Sequence, residues 1–182
     1  EVTKSRKELK VVANSNSWMY DSEDHSDGGY TVTYGNEVYT VAAGESATLS
    51  TGDTVTATIT KVVKNVADTA EGNNEIVTLF ITNEEQYANV VTEAGTLTIT
   101  QKPVTITAAS GSKEYDGTAL TNSGYTSTEL AGGDAYASVT VTGSITEVGK
   151  TDNIPSAAQI VDGEEDVTAN YAITYVNGVL EV

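Results

Sequence analysis

Polar and apolar residues alternate at every step in several short runs of this chain. The alternation is clearest at residues 54–60, 97–100, 104–107 and 138–142. A two-residue period is that of a β-strand with one buried face and one face in water. Pairs of Gly, Asn or Asp lie between the runs and are typical of turns, and we find no convincing helix of ten or more residues. The pattern therefore predicts an all-β protein with many short strands.

The composition favours the same fold class. The chain has 29 threonines and 14 serines among its 182 residues, and 10 tyrosines against one phenylalanine. Threonine is β-branched and suits a pleated surface that is half in water, and tyrosine is a strand residue with a polar tip. The length is that of one or two domains, each large enough to bury a core.

The charge of the chain argues against several classes of function. Lys and Arg number 9 against 26 Asp and Glu, which gives a formal net charge of −17. A field of that sign repels phosphate backbones and anionic lipids, so we expect neither nucleic-acid binding nor docking to a membrane surface. No run approaches the ~18–20 apolar residues that span a bilayer, so we expect no membrane insertion of this segment. The absence of cysteine excludes disulfides and zinc–thiolate sites, and the single histidine, His25, disfavours histidine-based catalysis.

An internal repeat organises the sequence. The matched segments are 9–15 with 104–110, 17–21 with 112–116 and 29–31 with 124–126 at an offset of 95 residues, 49–53 with 130–134 at 81, and 95–99 with 178–182 at 83. The change in offset means that the first copy carries about 14 additional residues near 34–48, which we interpret as an extra hairpin.

The repeat predicts two homologous domains, at 7–101 and 102–182. Residues 1–6 are interpreted as the end of a preceding strand and a linker. The connection at Lys102-Pro103 is only two or three residues long, and short linkers stiffen an array because few dihedral angles are free. We therefore expect the adjacent repeats of a longer tandem array to be the immediate partners of each domain.

The opening and closing motifs of the second copy carry a family resemblance. Residues 113–118 read Lys-Glu-Tyr-Asp-Gly-Thr, and residues 169–182 close the copy. Together they resemble the YDG-type and MBG-type repeats of large bacterial cell-surface proteins, many of which are described as adhesins or have unknown function. The resemblance implies a secreted or wall-attached, extracellular setting and no catalytic site. The first copy has Tyr20 and Asp21 at the motif but Ser22 in place of the glycine.

The motif residues also have a structural interpretation. We expect the Tyr115 ring to cover the edge of the core, Asp116 to accept backbone amides of its own turn, and Gly117 to adopt a positive φ. Asn177-Gly178 is typical of the two-residue turn of a final hairpin.

Acidic loops raise the question of a metal. Asp21, Glu23, Asp24 and Asp27 form the densest acidic stretch, and calcium prefers such oxygen ligands. As an EF-hand loop the spacing fails, because the sixth and twelfth positions are Ser26 and Val32. A solvated loop is the alternative, as it is for residues 162–166. We expect no cofactor, with calcium as the exception to test.

Covalent chemistry has few candidates. A Lys–Asn isopeptide bond, as in some surface arrays of Ig-like domains, would pair Lys10 or Lys113 with Asn89 or Asn170. It would require a neutral lysine in an apolar pocket. Hydrolytic triads have little support with a single histidine in a polar loop.

Four aromatic residues of the first copy are candidates for ligand binding: Trp18, Tyr30, Tyr34 and Tyr39. Exposed on one face they would stack on a glycan or contact a host surface protein. Burial in the core or beneath the extra hairpin is the alternative.

These observations predict two tandem Ig-like β-sandwich domains, with β-grasp-like repeats as the alternative fold. The predicted function is a non-enzymatic, stiff spacer or stalk of a bacterial surface protein, in which serial β-domains project a distal binding head. One alternative is a glycan- or host-protein-binding module that uses the exposed aromatics of the first copy. A second alternative is an accessory domain of a secreted carbohydrate-active enzyme.

Overall fold

The structure is a computed structural model that describes residues 7–182. Residues 1–6, interpreted above as the end of a preceding strand and a linker, lie outside the described residues. The described chain divides into two compact units. Unit 1 holds residues 7–18 and Asp24–Thr100, and unit 2 holds Met19–Glu23 together with Gln101–Val182.

Unit 1 is built from short strands in four sheets, and β2 reaches Met19 at its end. The strands are β1 (Leu9–Ala13), β2 (Asn16–Met19), β3 (His25–Ser26), β4 (Tyr30–Tyr34), β5 (Glu37–Val41), β6 (Ala47–Thr48), β7 (Thr54–Thr58), β8 (Val62–Val63), β9 (Thr78–Ile81), β10 (Val90–Glu93) and β11 (Leu97–Thr100). The sheet orders are β10-β1-β4-β5, β6-β7-β9, β11-β2 and β3-β8. Two 3₁₀ turns, Val66–Asp68 and Glu84–Gln86, lie between strands.

The core of unit 1 is contributed by both of its larger sheets. In β1 and β4 every second residue is buried, as their alternating sequence requires. The cluster of buried residues consists of Leu9, Val11, Tyr30, Val32, Tyr34, Val41, Ala47, Leu49, Val55, Ala57, Ile81 and Tyr87.

Unit 2 has two sheets. Its strands are β12 (Lys102–Ala108), β13 (Gly111–Ser112), β14 (Tyr125–Ser127), β15 (Ala135–Thr142), β16 (Lys150–Asp162), β17 (Glu165–Asp166), β18 (Tyr171–Val176) and β19 (Gly178–Glu181). One sheet is β14-β12-β18; the other is β13-β19-β16-β15, and β17 pairs with β16. A 3₁₀ turn at Thr168–Asn170 precedes β18.

The prediction of an all-β protein is confirmed. Each of the four alternating runs overlaps a strand, namely β7, β11, β12 and β15. Helical structure in residues 7–182 is limited to the three short 3₁₀ turns, so the described chain lacks the helix that the β-grasp alternative requires. No helix within these residues is long and apolar enough to cross a membrane.

The segment near 34–48 begins in a hairpin. Strands β4 and β5 pair antiparallel from Tyr30 opposite Val41 to Tyr34 opposite Glu37. The connection is the dipeptide Gly35-Asn36, in which Gly35 has a φ of 61°. Glycine reaches this left-handed region without steric strain, which is why it suits the tight turn.

The prediction of a final hairpin at Asn177-Gly178 is wrong. Strand β18 pairs with β12 in one sheet, whereas β19 pairs with β13 and β16 in the other. Gly178 is instead required by close packing, because a Cβ atom there would lie within 3 Å of the backbone of Ala108 and Ala109. Asn177 thus lies where the chain crosses from one sheet to the next.

The first long strand of each unit has neighbours in the same arrangement. In unit 1, β1 runs antiparallel to β4 and parallel to β10. In unit 2, β12 runs antiparallel to β14 and parallel to β18. The equivalent side-chain contacts of the two units can therefore be compared directly.

Candidate functional site

A fully buried asparagine ties together two loops of unit 1. The Asn74 side-chain amide donates to the backbone oxygens of Asn14, at 2.8 Å, and Asp27, at 2.9 Å. The Asn74 backbone exchanges two hydrogen bonds with Gly95, each 3.0 Å long. Since a buried amide is destabilising unless it is hydrogen-bonded, these bonds fix the loops against the start of β11.

Unit 2 contains the same arrangement. The side-chain amide of buried Asn153 donates to the backbone oxygens of Ala109 and Asn122, both at 2.8 Å. Asn153 lies in β16 directly opposite Gly178 of β19. The loops that this asparagine holds are those that follow β12 and precede β14.

The contacts around Asn153 repeat those around Asn74. Their partners are related by the same offsets as the matched segments of the sequence. The two carbonyl acceptors are shifted by 95 residues, and the paired glycine is shifted by 83. Asp27 in unit 1 and Asn122 in unit 2 each accept the amide N–H two residues ahead, at 2.9 Å. Both units therefore use one set of polar contacts for support.

A second constellation in unit 1 joins a tyrosine to an aspartate. Tyr87 follows the 3₁₀ turn Glu84–Gln86 and donates its hydroxyl hydrogen to Asp53 Oδ2 at 2.7 Å. Asn83 Nδ2 donates to Asp53 Oδ1 at 2.7 Å, and Thr51 Oγ1 donates to Oδ2 at 3.0 Å. The Tyr87 and Asn83 hydrogen bonds lower the pKa of the Asp53 carboxyl, and burial raises the pKa of Tyr87.

The edge of the Tyr87 ring meets an aromatic neighbour of its own unit. The ring centroids of Tyr34 and Tyr87 are 5.7 Å apart, with the planes at 76°. This edge-to-face geometry is the favoured one for aromatic pairs. The Tyr87–Asp53 pair is thus enclosed by side chains of unit 1.

Unit 2 has the equivalent pair in Tyr171 and Asp134. Tyr171 follows the 3₁₀ turn Thr168–Asn170 and donates to Asp134 Oδ2 at 2.5 Å. Its hydroxyl oxygen accepts the backbone N–H of Ala131 at 3.0 Å. Burial, followed by the hydrogen bond to Asp134, raises the pKa of Tyr171 strongly.

The short segment Met19–Glu23 completes the Tyr171–Asp134 pair within unit 2. Tyr20 is fully buried and donates to Asp134 Oδ2 at 3.0 Å, while Ser22 Oγ donates to Oδ1 at 3.3 Å. The Tyr20 and Tyr171 rings meet edge to face at 5.4 Å and 78°. We call the place formed by Tyr171, Asp134 and Gly132, in which Tyr20 and Ser22 are seated, the acceptor.

Glycine at position 132 is what admits this segment. A Cβ atom on Gly132 would lie 2.7 Å from the Ser22 Cβ, and the φ of Gly132 is 46°. The aligned residue of unit 1 is Thr51, whose hydroxyl bonds to Asp53. Unit 1 therefore has a β-branched residue where unit 2 has the glycine that admits Ser22.

The two tyrosine–aspartate motifs adopt the same turn. Asp21 Oδ1 accepts the Glu23 N–H at 3.0 Å with Ser22 at a φ of 70°, and Asp116 Oδ1 accepts the Thr118 N–H at 2.9 Å with Gly117 at 78°. The turn expected at Asp116 and Gly117 is therefore formed.

The expectation that Tyr115 covers the edge of the core is wrong, since its side chain is 56% exposed. Lys113 Nζ donates to Asp116 Oδ1 at 2.6 Å and to both oxygens of Thr118. The Lys113 bond to Asp116, followed by the bonds that the Thr118 hydroxyl and amide donate to the same carboxylate, lowers the pKa of Asp116 strongly and braces the turn.

Of the aromatic residues proposed to bind a ligand, Tyr30 and Tyr34 lie in the core, 0% and 4% exposed. The Tyr30 hydroxyl donates to backbone oxygens, and a ligand has no access to either ring. Tyr39 and Trp18 are half-buried; Tyr39 bonds to Glu37, and Trp18 stacks on His25 at 4.8 Å. The four aromatics thus do not form one exposed face.

Two of the four acidic residues proposed as calcium ligands, Asp21 and Asp27, support turns of the backbone, whereas Glu23 and Asp24 are exposed. Asp21 accepts the Glu23 amide, and Asp27 accepts the Gly29 amide and the side chains of Asn14 and Asn16. In residues 7–182, no three Asp, Glu or His side chains are grouped so that they could hold a metal ion.

The lysines considered for an isopeptide bond are engaged in ion pairs. Lys10 Nζ lies 2.7 Å from Glu93 Oε1, and Lys113 Nζ lies 2.6 Å from Asp116 Oδ1. The reaction needs the lysine in an apolar pocket, whereas the side chains of Lys10 and Lys113 are 33% and 21% exposed. Their exposure and ion pairs argue against this reaction.

Sequence reasoning aligned Asp53 with Asp134 but assigned neither a role. It also missed both buried asparagines and the burial of Tyr20 in the acceptor. The matched Gly-Asp pairs at 52–53 and 133–134 were the available signal, since an acidic residue at matched positions of two similar segments indicates a role in the fold.

Comparison with protein-family models, with curated proteins and with solved structures finds no match for this chain.

Proposed function

We propose that this chain is a non-enzymatic structural segment, a stiff spacer made of two tandem Ig-like β-sandwich repeats of a secreted or wall-attached bacterial surface protein. The observation that carries the proposal is that the buried asparagine, the close-packed glycine and the tyrosine–aspartate pair recur in both units. Shared support contacts at fixed sequence offsets are expected of two copies of one domain.

The sandwich assignment is supported by the core of unit 1. Its buried cluster includes residues from β1, β4 and β5 of one sheet and from β6, β7 and β9 of another. Two sheets that share one core are the defining feature of a sandwich. The first long strand of each unit, β1 or β12, pairs in parallel with a strand near the end of that unit, β10 or β18.

The two tyrosine–aspartate pairs stabilise the fold. Asp53 and Asp134 bind tyrosine hydroxyls of their own units, and the tyrosine pKa values are raised, which keeps the phenols neutral. A neutral phenol held by a carboxylate is a poor nucleophile and a good structural donor. This supports a structural role for both pairs.

The connectivity supports stiffness. Strand β11 ends at Thr100 and β12 begins at Lys102, so one residue separates them. The chain passes between the units three times, after Trp18, after Glu23 and after Thr100. Three short covalent connections restrict the relative motion of two units more than a single linker would, because a bend must satisfy all three at once.

The surface chemistry suits an extended array outside the cell. A net charge of −17 and 43 serine and threonine residues keep a long chain soluble and discourage edge-to-edge pairing of strands. The bacterial surface setting rests on the resemblance of residues 113–118 and 169–182 to YDG-type and MBG-type repeats.

Stiffness can be measured directly because the chain has no cysteine to interfere with labelling. Spin labels at Val38→Cys and Val148→Cys, two well-exposed positions in different units, would report the spread of distances in an electron–electron double resonance experiment. A control pair at Val38→Cys and Val77→Cys lies within unit 1. We expect the distribution across the units to be as narrow as that of the control.

A distribution much broader than the control would show independent units and would contradict the spacer proposal. The control fixes the width contributed by the label itself, so the comparison does not depend on an absolute distance.

A further inference from the structure

The two tyrosine–aspartate turns differ in only one major respect. Both have an aspartate that accepts the amide two residues ahead and a residue with a φ of 70–78° after it. Tyr20, the tyrosine of the first turn, is fully buried in the acceptor of unit 2, whereas Tyr115 is 56% exposed. An exposed tyrosine on a preformed turn is unusual, and the seated copy shows what such a turn fits.

The acceptor recognises this turn by shape and by hydrogen bonding. Asp134 receives the hydroxyls of Tyr20 and Ser22, and Tyr171 supplies the ring against which Tyr20 packs. Gly132 leaves the space for the Ser22 side chain. Tyr115 carries the same hydroxyl, and Gly117 in place of Ser22 needs still less space.

The corresponding place in unit 1 is closed by its own side chains. Thr51 stands at the position of Gly132, Asn83 bonds to Asp53 Oδ1, and the Tyr34 ring packs against Tyr87. These three contacts replace the ones that Tyr20 and Ser22 make in unit 2. The partner of Tyr115 must therefore have an acceptor of the unit 2 type.

We propose that Tyr115 and the turn Asp116–Thr118 dock into a further β-unit of this kind, one that presents a Gly-Gly-Asp segment and a tyrosine equivalent to Gly132–Asp134 and Tyr171. The occupant is thus another copy of the unit 2 fold. This inference rests on the tandem-repeat function proposed above and gives the array a direction, with the Tyr115 turn seated in the unit that follows.

The side chains of the turn prepare it for docking. Lys113 and Thr118 hold Asp116 so that the loop conformation exists before a partner arrives. A preformed loop loses little conformational entropy on binding, which favours association. On docking, the Tyr115 hydroxyl would lose its hydrogen bond to water and donate to a carboxylate instead, as the Tyr20 hydroxyl donates to Asp134.

The test extends the 182-residue chain at Val182 by a second copy of residues 101–182. The added copy carries Tyr115→Phe, so that only one Tyr115 is present. Nitration with tetranitromethane, followed by peptide mass spectrometry, compares the reactivity of this Tyr115 in the original and extended chains. We expect it to fall by about tenfold or more in the extended chain, because a docked side chain reacts only after local opening.

A matched control places Gly132→Thr in the added copy, as Thr51 does naturally in unit 1. We expect Tyr115 to regain the reactivity that it has in the original chain, because the threonine closes the acceptor. Tyr125 and Tyr175, which are partly exposed, serve as internal references for the reagent.

The proposal is overturned if Tyr115 reacts equally in both chains, or if Gly132→Thr leaves it protected. The proposal also requires the added copy to fold, because the docked Tyr115 would give it the tyrosine hydroxyl that Tyr20 gives unit 2. An added copy whose amides show no protection from hydrogen exchange therefore contradicts the proposal. These results are independent of the spin-label widths, which test the spacer function on the original chain.

Discussion

At the residue scale, Tyr171 illustrates how a buried phenol and a carboxylate support this fold. Its hydroxyl donates to Asp134 at 2.5 Å and accepts the Ala131 amide at 3.0 Å, so both hydrogen-bonding functions are used. Tyr20 brings a second hydroxyl to the same carboxylate oxygen. Two neutral donors around one charge are stable together only while both phenols keep their protons.

The protonation of Tyr171 predicts a loss of stability at alkaline pH. Its pKa in the folded protein is raised above the unfolded value of about 10. The stability that it contributes is therefore complete below about pH 10 and is lost as the pH rises toward the folded pKa. We expect the thermal midpoint of the native chain to fall progressively as the pH is raised above about 10.

The substitution Tyr171→Phe tests this prediction by circular dichroism melts. At neutral pH it should destabilise unit 2 by about 1–3 kcal/mol, because Asp134 and the Ala131 amide lose a partner. Its midpoint should then decline less with pH than that of the native chain. Tyr115→Phe, at an exposed position, is the control and should leave the alkaline decline unchanged; an equal decline in Tyr171→Phe would refute the assignment.

The sequence could reveal only part of this residue-scale site. Aligning the copies placed Asp53 and Asp134 at one position, but the partner tyrosines lie 34 and 37 residues further along the chain. Tyr20 lies 114 residues from Asp134. Such pairs are brought together by tertiary structure, and alternation along a strand carries no information about them.

At the element scale, alternation predicted the positions of β7, β11, β12 and β15 but not the strands with which they pair. The Asn177-Gly178 dipeptide has the composition of a hairpin turn, yet β18 and β19 lie in different sheets. Gly178 and Gly95 occupy equivalent positions, since each packs against the backbone at the end of the first long strand of its unit. Close backbone approach and turn formation both select glycine, so composition alone could not distinguish them.

This close packing predicts a large effect of Gly178→Ala. The new Cβ would lie within 3 Å of two backbone carbonyl oxygens, which cannot move as a flexible side chain would. We expect a destabilisation of about 2 kcal/mol or more, and a fall of roughly 10 °C in the midpoint of unit 2.

Gly133→Ala is the matched control in the same unit, because a Cβ there meets no atom within 4 Å. Differential scanning calorimetry of both variants should show the native midpoint for Gly133→Ala. If the two variants melted together, the crossing of β18 and β19 against Ala108 and Ala109 would not be the constraint described above.

At the scale of the whole molecule, the charge balance affects both units. The chain carries 26 acidic residues against 9 basic ones, so most acidic side chains have no basic residue to pair with. The prediction of an internal repeat rested on matched segments that keep the same apolar phase. The pairing of Tyr20 with its acceptor was not, because no local pattern encodes a contact between distant segments.

Self-repulsion among these carboxylates predicts that salt stabilises the protein. Compact chains bring like charges closer together than unfolded ones, and the Debye length falls to about 10 Å at 0.1 M salt. We expect the thermal midpoint to rise by a few degrees when sodium chloride is raised from about 10 mM to about 300 mM, with most of the rise below about 150 mM.

Calcium chloride at matched ionic strength separates general screening from a specific ion. Screening by a divalent cation should shift the midpoint a little more than sodium does, without saturating at micromolar concentration, and a chelator should leave the apo chain unchanged. A saturable rise at low calcium would instead place an ion among Asp21, Glu23, Asp24 and Asp27. Substituting Asp24→Asn would then abolish that rise, whereas under screening alone it should raise the midpoint slightly by removing one negative charge.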